Sequence, residues 1–124
     1  MAKIYPKNPQ FRNKAEEQVF NAIVQDLGAD DAIYCNFEIS DPQHGDVEID
    51  LAVFIKNRGI VVIEIKGGHI SFDGTDWWQQ DAKGSRIIYP NTQARKNMYS
   101  LRDLLRNRWS QGNVRTDWIV AFPN

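Results

Sequence analysis

Apolar residues follow two different periods along this chain, and the switches between them predict its elements. Val19, Phe20, Ile23 and Leu27 recur at helical spacing, with Asn13 placed to cap the start and Gly28 placed for a left-handed stop. That pattern predicts a first helix from about Lys14 to Leu27. Ile33–Ile39 is β-prone and runs into a turn cluster, Asp41-Pro42-Gln43-His44-Gly45. In Val47–Ile55 the residues Ile49, Leu51, Val53 and Ile55 alternate with Glu48, Asp50, Ala52 and Phe54, the period of a strand. Lys56-Asn57-Arg58-Gly59 predicts a four-residue hairpin turn, after which Ile60–Lys66 returns as a second strong strand. Three shorter β-like pieces follow Gly67-Gly68, at His69–Phe72, Trp77–Gln80 and Arg86–Tyr89, with turns at Asp73-Gly74 and Lys83-Gly84. Pro90-Asn91-Thr92 opens a second helix to about Trp109, whose apolar stripe is Ala94, Met98, Leu101 and Leu105, and Asp117–Phe122 is a last strand. Residues 1–12 are polar, hold Pro6 and Pro9 and lack a period, so they are expected as an extended arm before one domain over 13–124. Helix, three strands, a small β-meander, helix and strand describe an α/β fold, a mixed sheet with helices packed on it.

Composition narrows the classes. A chain of 124 residues and 14.3 kDa suits one domain, and 42% apolar with 25% charged residues suits a folded globular protein. No apolar segment approaches the length of a membrane span, and residues 1–20 lack a signal-peptide pattern. The single cysteine, Cys35, excludes an intramolecular disulfide and a cysteine zinc cluster; it reads as a buried small apolar residue, and a reducing, cytoplasmic location is expected. No Gly-x-x-x-x-Gly-Lys-Ser/Thr loop is present, which excludes a P-loop ATPase.

Net charge is −1, but it is segregated. Lys83 to Arg115 holds eight basic residues against the single acid Asp103, a balance of +7 that leaves −8 for the rest. Such a chain could hold an anionic polymer on one side and cations on the other, or present a solvated basic helix face beside ordinary acidic loops.

The chemistry concentrates at the end of the hairpin away from its turn. Glu64 and Lys66 share one strand face, Asp50 shares a face with Glu48 and Ala52, and antiparallel pairing brings Asp50 within a residue or two of Glu64 or Lys66. Two carboxylates that close repel unless something positive lies between them. Lys66 could supply that charge in an ion-pair network. Alternatively, Asp50 and Glu64 could hold a hard divalent cation through oxygen, with Lys66 beside a water or phosphate.

Glu48-Ile49-Asp50 followed by Ile63-Glu64-Ile65-Lys66-Gly67-Gly68 resembles the nuclease-related domain, a branch of the PD-(D/E)xK nuclease superfamily. The resemblance runs from a helix with an early Glu through "EIDLAVF", "GIVVIEIKGGHI", a Trp near residue 78 and "PNTQARKNMYSLRDLL" to the strand ending "AFP". It implies a restriction-endonuclease-like α-β-β-β-α-β core with the small β-meander inserted after the third strand. It also implies Asp50 and Glu64 as metal ligands, with the Ile65 carbonyl as a further one, and Lys66 as the catalytic lysine. An acid on the first helix and Gln93 would complete the site. The cofactor would be magnesium, with manganese possible. The activity would be phosphodiester hydrolysis in nucleic acid, DNA before RNA, in DNA processing or repair. A non-catalytic nucleic-acid-binding or adaptor module is the alternative. The resemblance further suggests a longer parent chain with a fused helicase or other domain, and no membrane partner.

Glu16 lies along the apolar stripe of the first helix and Glu17 is turned about 100° away, so Glu16 is the better site acid. Asn13-x-x-Glu16 also fits a capping box in which Glu16 only closes the helix start. On the second helix Gln93, Lys96, Asn97 and Ser100 form a polar strip. Some relatives continue as Gln-x-x-x-Tyr; here the fourth position is Asn97 and Tyr99 lies two further on, leaving Lys96 or Arg95 for phosphate. Arg95, Arg102 and Arg106 share a neighbouring face suited to phosphate contact without base reading. His69 reads as structural or exposed, and His44 with Asp46 does not suggest a second metal site. Trp77 and Trp78 must point to opposite sides of their strand, one packing and the other covering the sheet or stacking on a base.

Overall fold

The computed structural model describes residues 2–42, 45–108 and 115–123; His44 and Trp109 lie outside them. In chain order the elements are β1 (Lys3–Tyr5), α1 (Lys14–Val24), β2 (Ala32–Asp41), β3 (Gly45–Ile55), β4 (Gly59–Ile65), β5 (His69–Phe72), β6 (Trp77–Asp81), β7 (Gly84–Ile88), α2 (Pro90–Arg108) and β8 (Thr116–Ala121). Apart from β1, this is the order predicted, and it forms a five-stranded mixed sheet, β1-β2-β3-β4-β8, beside a separate three-stranded meander, β5-β6-β7. β2, β3 and β4 are antiparallel neighbours, whereas β8 lies parallel to β4 after the crossover through α2.

Local chemistry moves several boundaries. Lys3–Tyr5, expected as part of an extended arm, joins the sheet edge parallel to β2, and Tyr5 stacks on Tyr34 at 4.7 Å. α1 ends at Val24, short of Leu27: Asp26 and Leu27 donate to Ile23 and Val24, three residues back, and tighten the last turn. Gly28 is not the left-handed stop; its N–H is held by the Asp31 carboxylate at 2.8 Å. The hairpin loop is Lys56–Arg58, one residue shorter than predicted, because Gly59 already pairs with Ile55. Asn57 takes the left-handed conformation in that loop (φ 65°), which Asn tolerates better than most residues.

Two apolar clusters sandwich the sheet. Ala15, Val19 and Phe20 of α1 bury Ile33, Cys35, Leu51, Val53, Ile63 and Ile65 on one face. Met98, Leu101 and Leu105 of α2 bury Ile39, Val47, Ile49, Ala52, Ile60 and Val62 on the other. Strict alternation would put Ile49 and Leu51 on the same face, yet they belong to different clusters. β2 changes phase too: Cys35 faces α1, while both Tyr34 and Phe37 face α2. The slips coincide, between the paired rungs Cys35–Leu51 and Phe37–Ile49, where Asn36 has φ 47°. The left-handed Asn36 marks the change of phase in β2, and Asp50 sits at the corresponding point in β3.

Candidate functional site

β3 and β4 stay paired down to Leu51–Ile63, which leaves Asp50 and Glu64 facing each other at the next rung, where the ladder ends. The Asp50 carboxylate takes over as acceptor there: its Oδ2 receives the Ile65 N–H at 2.9 Å. N–H and C=O of one strand residue point to the same side, so the Ile65 carbonyl also faces this gap. Asp50 and Glu64 are 8% and 7% exposed, too buried to rely on solvent for charge compensation. Lys66 follows, half-buried, and its backbone N–H is tied to Ala121 of β8 at 3.1 Å. Among the described residues its ammonium has no carboxylate within 4 Å, so of the two alternatives the lysine ion pair does not form.

α1 brings the third acid. Asn13 caps the helix by accepting the Glu16 N–H at 3.0 Å, but the Glu16 carboxylate reaches the Arg12 N–H at 2.9 Å rather than that of Asn13. The capping box is therefore displaced by one residue, and the same side chain, buried, lines the acidic cleft. Glu17 is exposed. α1 can come this close because Gly67 has no side chain; a Cβ there would lie 2.8 Å from that of Ala15. Gly67→Ala is expected to cost about 1–3 kcal/mol in urea unfolding, and an unchanged midpoint would show that the helix yields freely.

The cleft measures about 420 Å³ and gathers Glu16, Asp50, Glu64, Ile65, Lys66, Gln93 and Lys96, together with Arg12, Glu48, Gln79, Arg86 and Asn97. A larger cavity of about 750 Å³ beside the hairpin loop holds none of the constellation. Buried Asn97 donates to the Glu48 carbonyl at 3.2 Å and fastens α2 over β3, which explains an Asn at that position. Gln79 donates to the Gly67 carbonyl at 2.8 Å and also accepts from Arg86, so the meander forms a wall of the cleft. Arg95, Arg102 and Arg106 are not brought to it. They lie beyond the apolar stripe from Gln93 and Lys96, and Arg102 stacks over Tyr99 at 4.4 Å. Trp77 packs between Phe72 and Phe122, and Trp78 spends its indole N–H on Asp73. His69 is exposed.

The nuclease-related domain family matches residues 12–123, nearly the whole chain. The chain belongs to this family. No curated protein and no solved structure matches it.

In this nuclease-related domain the site residue that sequence reasoning missed is Arg12. Its guanidinium lies 3.1 Å from Asp50, 3.2 Å from Glu48 and 3.5 Å from Glu16, and donates to Asn36 at 2.9 Å. The only signal was position: a cation one residue before a helix cap is aimed back at the first turn, where Glu16 stands. Arg12 nevertheless leaves Glu64 without a direct ion pair among the described residues. Burial, then the Asp50 charge, push the Glu64 carboxyl up to about 8, against the opposing pull of Lys66 and Arg12. Burial and the nearby Glu16 also raise the Cys35 thiol to about 11, so it stays protonated and unreactive. Among the described residues no three acids, histidines or cysteines converge as a metal-holding group, and the acid pair at the end of the ladder is Asp50 with Glu64. No helix there is long and apolar enough to cross a membrane.

Proposed function

We propose that this nuclease-related domain is a metal-dependent phosphodiesterase acting on nucleic acid, with DNA as the preferred substrate. The observation that carries the reading is the opposed, buried pair Asp50 and Glu64 at the end of the β3–β4 ladder, with Lys66 two residues beyond Glu64. Two carboxylates and a strand carbonyl form a hard oxygen donor set, and Asp50 already attracts a cation to 3.1 Å. These residues fit magnesium, which takes one or two protein carboxylates and keeps several waters; manganese suits the same donors. Asp50, Glu64 and the Ile65 carbonyl would hold it. When bound, such an ion supplies charge for the phosphate and acidifies the attacking water.

The chain's own groups do the rest. Lys66 orients the attacking water or neutralises a non-bridging phosphate oxygen. Glu16 keeps the α1 side of the cleft acidic, and Gln93 at the rim positions water or phosphate. Lys96, rather than Arg95, Arg102 or Arg106, is the α2 cation placed to meet the nucleic-acid backbone in the cleft. Plasmid and single-stranded DNA incubated with magnesium or manganese should be nicked, and Asp50→Asn should reduce nicking to background. Salt-sensitive binding without cleavage would instead support the second reading, a binding or adaptor module, which the neutralisation of Asp50 by Arg12 favours.

A further inference from the structure

We propose that Arg12 is a resident counter-cation of the acidic centre, which a divalent ion must displace from Asp50 in order to bind. This rests on the reading that Asp50 and Glu64 are the metal-holding pair. Both Asp50 oxygens are occupied: Oδ2 accepts the Ile65 N–H at 2.9 Å, and Oδ1 faces the Arg12 guanidinium at 3.1 Å. A metal using Oδ1 would sit against a fixed positive charge, so the two cations compete for one oxygen.

Arg12 is built for that place. Its guanidinium spans three elements, reaching Glu16 on α1, Glu48 and Asp50 on β3, and Asn36 on β2. Asn36 is the left-handed residue at which the strands change phase, and its amide also donates to Glu16 at 3.2 Å. With 46% of its side chain exposed, Arg12 can swing out toward solvent without opening the core. Without metal it holds buried like charges together; with metal it becomes a free cation at the cleft mouth.

The sign of its effect on metal affinity separates this role from a merely structural one. If Arg12 only shaped Asp50, removing it would weaken metal binding. As a competitor, its removal strengthens binding. Manganese titration of the whole chain, followed by calorimetry and by loss of the free-ion EPR signal, reads this without any activity assay. Arg12→Gln is expected to bind manganese about tenfold more tightly than the unsubstituted chain, while its metal-free melting temperature falls. Arg12→Lys keeps a charge but loses the fork, and should also tighten binding, by a smaller factor; it decides the matter if Arg12→Gln does not fold. Equal or weaker binding in the variant, with Asp50→Asn still abolishing binding, would overturn the competition while leaving the metal site standing. No manganese binding by any form would overturn both.

Discussion

Lys66→Ala is expected to lower DNA cleavage by about 10²–10⁴-fold, the range removed with a positioned acid–base or electrostatic group. The fold should survive. Lys66 is half-buried, makes no side-chain ion pair among the described residues, and contributes to the sheet through its backbone N–H to Ala121, which alanine retains. The melting temperature should therefore stay within about 3 °C of the parent. A supercoiled-plasmid nicking time course alongside a thermal melt checks both halves. Full cleavage by the variant would remove Lys66 from the mechanism, and a collapse of stability would make it a structural residue. Lys66→Arg sharpens the test, because it keeps the charge but replaces a compact ammonium with a broad fork, so it should restore phosphate affinity better than turnover.

The second large effect is on pH dependence. Glu64 carries a pKa raised from an ordinary 4.5 to about 8, by burial first and the Asp50 charge second. Between those values the folded chain binds this proton more tightly than the unfolded chain does, so stability must fall as pH rises. The contribution is fully present below about 4.5 and lost above about 8. It amounts to a few kcal/mol, at about 1.4 kcal/mol per unit. Asp31, Asp73 and Asp81 run the other way: hydrogen bonds lower their pKa values, so their stabilisation is lost only in stronger acid. Urea unfolding of the metal-free protein should therefore give its highest stability near mildly acid pH, with a steady decline toward pH 8. Glu64→Gln should flatten that decline. Saturating magnesium should reverse it, because a divalent ion binds the carboxylate and releases the proton, so its affinity rises with pH up to about 8. A slope unchanged by both Glu64→Gln and metal would place the titrating group elsewhere.

Much of the site was legible because its parts are local. Glu64 and Lys66 share a strand face by period alone, and a hairpin of this length brings Asp50 within a residue or two of one of them. The spacing of Glu16 from Val19, Phe20 and Ile23 predicted its inward face, and the structure buries it while leaving Glu17 exposed. Arg12 was not legible, since its three carboxylate partners come from two elements and are joined only after α1 docks on the sheet. The position of the basic stripe relative to the cleft was not legible either. Arg95, Arg102 and Arg106 do share a helix face, but where α2 lands depends on Ala94, Met98, Leu101 and Leu105, and that landing turns Gln93 and Lys96 toward the cleft instead.

By itself the sequence determined the order of helices and strands, the hairpin that brings Asp50 near Glu64 or Lys66, and membership of the nuclease-related family, because periodicity, turn residues and short spacings are properties of neighbouring residues. Only the tertiary structure decided that the strands change phase at Asn36, that Arg12 rather than Lys66 neutralises Asp50, and that Glu64 is buried deeply enough to hold a proton near neutral pH. Those outcomes depend on close approach between segments far apart in the chain, where a backbone angle, a missing side chain at Gly67 and the exclusion of water act together.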